Sequence, residues 1–177
     1  MELSVAYPYG IPSNVIEPLD LADVKSYMSI REEDTSQDAF LQDAIPMCRS
    51  TLEQHLPWYV ITGTVRARCI IRPVSDKVLI AVKGPIQTVT TATLTPLDGE
   101  SVTVAVTVAD EEHITVDMSG YTDMMRFDIT YTVGSAVDQR VRAILLTMIR
   151  NRYDRRYEDP YTEEVRRMAY PLMRINI

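Results

Sequence analysis

Between Trp58 and about Val133 the apolar residues tend to recur at every second position, whereas on both sides they recur at every third and fourth. A period of two puts alternate side chains on opposite faces of a strand, and a period near 3.6 lines one face of a helix. No single element satisfies both patterns, so a β section must interrupt a helical body. Each flanking helix carries one apolar face that needs cover. Helices from opposite ends of the chain must therefore meet around a shared core.

The helical segments can be placed residue by residue. Asp20 suits an N-cap for a short helix in which Leu21, Val24 and Met28 repeat at helical spacing. A second helix is expected from about Ser36 to Leu56, with Leu41, Ile45, Cys48 and Leu52 on one stripe and Pro46 bending it locally. From Ser135, the residues Val137, Val141, Ile144, Leu145, Met148 and Ile149 line a long C-terminal helix that Asp159-Pro160 breaks. Thr162 can cap one or two further turns, with Glu163 and Glu164 at the positive helix end. Pro171 is expected to stop them and leave "LMRINI" extended.

The β section holds five or six strands, a hairpin signal at Asp98-Gly99, and a slip in the alternation from Ile86 to Leu94 that implies a bulge near Thr90. Residues 1–18 read as an irregular arm, because Pro8, Gly10, Pro12 and Pro18 punctuate them. The expected fold class is α+β: a helical bundle of two N-terminal helices and a long C-terminal helix, with an inserted antiparallel β lobe and an extended C-terminal tail. In domains, this is an arm at 1–18, a helical body at 19–57 and 135–168, a β insert at 58–134, and a tail at 169–177.

Charge is placed unevenly. Residues 137–177 hold nine Arg, no Lys and six Asp or Glu, a net of +3. The remainder holds nine Lys or Arg and nineteen Asp or Glu, a net of −10, and the whole chain stands at −7. Polyanion binding wants many cations on one stripe of a basic domain, which this is not. Arginine to the exclusion of lysine suits bidentate contacts with carboxylates in partly buried protein interfaces. The basic end therefore points to a protein partner and not to DNA.

Catalytic chemistry is hard to find. Neither His55 nor His113 has metal ligands at a suitable spacing, apart from the loose cluster Asp110-Glu111-Glu112-His113, which reads better as a solvated loop. There is no GxSxG, HExxH or phosphate-binding glycine loop. Cys48 and Cys69 lack CxxC spacing and read as free buried thiols. No cofactor, metal or catalytic residue is expected. The N-terminus has no signal-peptide pattern, and the apolar stretches fall far short of the roughly 20 residues of a membrane span.

The order of segments resembles the head–tail connector (adaptor) proteins of tailed bacteriophages. Pro18, Leu19, Leu21, Val24, Lys25 and Tyr27 match the first-helix pattern of that family. Cys48-Arg49 and Glu53 match its second helix, and Ala143-Ile144-Leu145, Tyr153 and Arg156 match its last. The resemblance implies a non-enzymatic virion protein of the neck, made in the host cytoplasm. It would form a ring, usually of twelve subunits, beneath the portal protein, and a downstream connector or tail-completion protein would bind the other side. DNA would pass through the channel without specific binding, which suits an acidic wall. It also implies a portal-docking tail, here Tyr170, Leu172, Met173, Arg174, Ile175 and Ile177. Arg150, Arg152, Arg155 and Arg156 are expected to meet neighbouring subunits or the portal. The other reading is a non-enzymatic β-lobe module that binds a ligand or protein through loops at Trp58, Tyr121 and residues 109–113.

Overall fold

The computed structural model describes residues 3–134, 138–154 and 159–173. The chain divides into two compact units: Met1–Ile16 with Ile61–Ser135, and Glu17–Val60 with Ala136–Ile177. Ten strands and four helices lie among the described residues. The expected helical bundle with an inserted lobe is therefore corrected to a sheet-rich α+β fold, with one sheet of four strands and one of six. The arm accounts for much of the difference. It forms β1 (Leu3–Val5), β2 (Tyr7–Pro8) and β3 (Ser13–Ile16), and joins the β section in one unit.

The rest of the β unit follows the period-two pattern: β4 (Thr62–Ile71), β5 (Lys77–Ala81), β6 (Ile86–Pro96), β7 (Val102–Thr103), β8 (Val106–Val108), β9 (His113–Asp117) and β10 (Met125–Val133). The smaller sheet has the order β1-β5-β9-β8 and the larger β2-β4-β10-β6-β7, with β3 also pairing with β4. Only β1 with β5 is parallel among these pairs. In β10, Met125, Phe127, Ile129, Tyr131 and Val133 are all buried, and the residues between them are half-exposed. The pairing of β10 with β6 steps from Thr130–Thr91 to Tyr131–Val89, which leaves Thr90 as the extra residue of a bulge.

Both sheets end at the same two stretches of chain. The edge strand β1 passes through the single residue Ala6 into β2, the edge of the other sheet. Likewise β7 passes through Val104 and Ala105 into β8. Strands that switch sheets make the corners of a sandwich and close it towards a barrel.

In the helical unit, α1 (Leu21–Tyr27) begins on a reciprocal capping box. The Asp23 amide donates to the Asp20 carboxylate at 2.7 Å, and the Asp20 amide to that of Asp23 at 3.4 Å. α2 (Asp38–Glu53) runs through Pro46, which lacks the N–H that would bond to the Gln42 carbonyl. α3 (Gln139–Asp154) and α4 (Glu163–Met173) complete the unit. Leu41, Cys48, Leu52, Ile144, Met148 and Val165 form the centre of a core shared by α2, α3 and α4.

α4 carries a second correction. It passes Pro171 and ends at Met173, so residues 169–173 are helical and not extended. Val165, Ala169 and Leu172 repeat at spacings of four and three and are all buried. Near a helix end, Pro171 forfeits one hydrogen bond, and burial of that stripe outweighs it.

Candidate interaction surfaces

The C-terminal arginines do several jobs. Arg142 donates to the Pro18 carbonyl at 3.1 Å and pairs with Asp23 at 2.8 Å, so it ties α3 to the start of α1. Arg150 lies exposed and approaches Asp154 at 3.7 Å, one helical turn on. Arg152 is half-buried. Arg166 and Arg167 both reach Glu163 on their own helix. Arg155, Arg156, Arg174, Ile175 and Ile177 lie outside the described residues.

Of the tail residues that are described, Tyr170 is 52% exposed, whereas Leu172 is buried at 7% in the unit's own core. Met173 packs partly against that core. Met173 also borders a cavity of about 410 Å³ with His55, Tyr161, Thr162, Glu163 and Arg166. There the His55 and Tyr161 rings stack at 3.9 Å, with 9° between their planes.

A buried ion network secures the helical unit where the chain arrives and where it leaves. Arg49 on α2 donates to both Glu17 oxygens, at 3.0 and 3.2 Å, and to Glu53 at 3.0 Å. The other Glu53 oxygen accepts the Val60 amide at 2.8 Å. Glu17 and Val60 are the first and last residues of this stretch of the unit.

The β unit carries a basic row that the sequence reading missed. Arg66, Arg68 and Arg72 share the outward parity of β4 and its extension, and all three are exposed. Arg126 joins them from β10, where Asp128 pairs across from Arg68. Asp128 accepts from Arg68 Nε at 2.6 Å, Arg126 Nε at 2.9 Å and Tyr9 Oη at 3.2 Å. Arg68 also lies 4.5 Å from the centre of the Tyr9 ring, and Arg66 5.6 Å. One tyrosine thus adds side-chain contacts to the strand pairing that holds the arm to β4. The signal was available in the even spacing of Arg66, Arg68 and Arg72, which places them on one face of any strand.

Burial raises the proton affinity of Asp128, but the hydrogen bonds from Arg68 and Arg126 outweigh it and hold the carboxyl below its ordinary 3.8. A depressed folded-state pKa contributes stability above the ordinary value and loses it as pH falls through the folded one. Asp128→Asn should therefore be less stable than the parent at neutral pH. In urea titrations the difference should shrink as pH is lowered to about 2. A difference independent of pH would refute the ion pairing.

His113 Nδ1 contacts Asp110 at 2.8 Å within its own turn. No group of three or more metal-ligating side chains occurs among the described residues. Trp58 packs on the helical core, whereas Tyr121 and residues 109–113 belong to the β unit. Cys48 and Cys69 are free and buried, and desolvation pushes both thiols up to about 12. No helix among the described residues is long and apolar enough to cross a membrane.

No family model matches the sequence, and no curated protein matches it. Solved structures do. One is a chain from the neck of an empty GTA (gene transfer agent, phage-like) particle computed with C6 symmetry. It superposes with a TM-score of 0.69 over 92% of this chain and 96% of that one, at 16% sequence identity. The two chains share a fold along nearly their whole length.

Proposed function

We propose that this chain is a structural, non-enzymatic subunit of the neck of a tailed-phage-type particle. In this reading it is a head–tail connector that forms a ring beneath the portal, extends the DNA channel and offers the next connector or tail-completion protein a platform. The observation that carries the reading is the shared fold with the GTA neck chain, because it spans almost all of both chains. A twelve-subunit ring would itself obey six-fold symmetry, so the expected dodecamer is compatible with that particle's C6 description. The net charge of −7 suits a channel wall past which DNA must slide.

Portal docking is assigned to the C-terminal end, with Tyr170 as the exposed aromatic on α4 and Arg174, Ile175 and Ile177 beyond it. Arg150, Arg152, Arg155 and Arg156 are assigned to contacts with acidic neighbours, either adjacent subunits or the portal. Replacing Arg152, Arg155 and Arg156 with Glu tests the reading. Cosedimentation with portal-bearing heads should fall at least tenfold, while retardation of duplex DNA stays as weak as for the parent. Unchanged cosedimentation, or a parent that shifts DNA strongly and a variant that does not, would overturn it.

A further inference from the structure

We infer that neighbouring copies of this chain meet head-to-tail through the two sheet-switching stretches of the β unit, the exposed surface of the β1–β2–β3 edge of one against that of the β7–β8 edge of the next. The inference deepens the ring reading and rests on it. Among the described residues, eight of the thirteen exposed large apolar side chains lie on these two edges or in the turn joining them to the sheet. Leu3, Val5, Tyr7, Ile11 and Ile16 occupy the first, and Leu97, Val102 and Val108 the second. A cluster of exposed apolar side chains marks a surface that another chain covers. The segment 3–16 has no charged residue at all.

The two edges differ in a way that selects one arrangement. Beside the first stand Arg66 and Arg68 of β4, held against Tyr9 of the arm. Arg66 has no acidic partner among the described residues. The second edge is bracketed by acidic turns: Asp98 and Glu100 before β7, and Asp110, Glu111 and Glu112 after β8. No Lys or Arg occurs between Leu97 and Glu112. Like edges would set arginine against arginine, or carboxylate against carboxylate. Unlike edges set opposite charges together around an apolar strip. Contact between two different patches of one chain is heterologous and closes into a ring when its rotation permits. The occupant of each edge is thus the other edge of a second copy.

The test uses two full-length variants, each changed at one edge. One carries Ile11→Glu and Arg66→Glu, the other Leu97→Glu and Val108→Glu. All four side chains are exposed, and far-ultraviolet circular dichroism checks that both variants are folded. In sedimentation velocity the parent should form a closed oligomer, and each variant alone should be monomeric. Their mixture should give a one-to-one dimer, since one intact edge of each kind remains and the chain of contacts cannot propagate. A parent oligomer that either variant still forms would overturn the edge contact and leave the ring reading standing. Variants that stay monomeric when mixed would also overturn it, and would assign the edges to another neck component. A parent that stays monomeric at high concentration and on portal-bearing heads would overturn both.

Discussion

Replacing Arg49 with Met should destabilise the helical unit by about 3–5 kcal/mol, because it strands a buried carboxylate. The Glu53 side chain is 7% exposed and Arg49 is its cationic partner, at 3.0 Å. Glu17, at 26% exposure, can turn towards water when Arg49 is lost, but Glu53 cannot. Neutral donors such as the Val60 amide do not replace a cation beside a desolvated negative charge. Typical domains hold only about 5–15 kcal/mol of stability, so this single change should remove a large fraction of it. Glu53→Gln in the Arg49→Met background should recover part of the loss, since the residue becomes neutral and its carbonyl can still accept the Val60 N–H. Equal losses for the single and double variants in urea unfolding would mean that Glu53 does not sit in a dry site.

The second large effect separates folding from docking at the C-terminus. Leu172→Ala should cost about 2–5 kcal/mol, because it empties a position closed by the core of α2, α3 and α4. Tyr170→Ala, two residues away and exposed, should cost markedly less stability than Leu172→Ala. In the proposed connector the order reverses for attachment. Loss of Tyr170, or deletion of residues 174–177, should weaken binding to portal-bearing heads while the melting temperature holds. Removing residues 170–177 together would confound the two, since it takes Leu172 from the core. A Tyr170→Ala variant with normal attachment, alongside a 174–177 deletion with normal attachment, would place the docking surface elsewhere.

Much of this architecture could be read from the residues, and the failures have identifiable causes. The period-two alternation between Trp58 and Val133 placed the strands of the β section, and the slip around Thr90 placed the bulge, because burial on one face enforces period two. Asp20 was a cap on sequence grounds and is one in the structure. The arm was misread because proline was treated only as a breaker. Pro8 lies in an edge strand, paired with Ala67, where a missing N–H can face away from the ladder. Recruiting that arm turned an expected insert into the sheet-rich half of the fold. Pro171 misled in the same way, because the Val165–Ala169–Leu172 stripe was not weighed against one lost hydrogen bond.

The interaction surfaces were less legible than the fold. The arginine excess after Val137 drew attention to the C-terminus and away from the evenly spaced Arg66, Arg68 and Arg72, and Arg126 joins that row only once β4 and β10 are paired. Apolar exposure at two sheet edges is likewise a property of topology. Sequence periodicity says which residues share a face, but not which strand ends up outermost.

The most direct measurement of the central claim is cryo-electron microscopy of portal-bearing, tail-less heads incubated with the purified chain. A rotationally symmetric ring is expected at the portal vertex alone, coaxial with the channel, into which this fold fits once per subunit. Heads whose portal vertex remains bare, under conditions where the chain is folded and in excess, would contradict it.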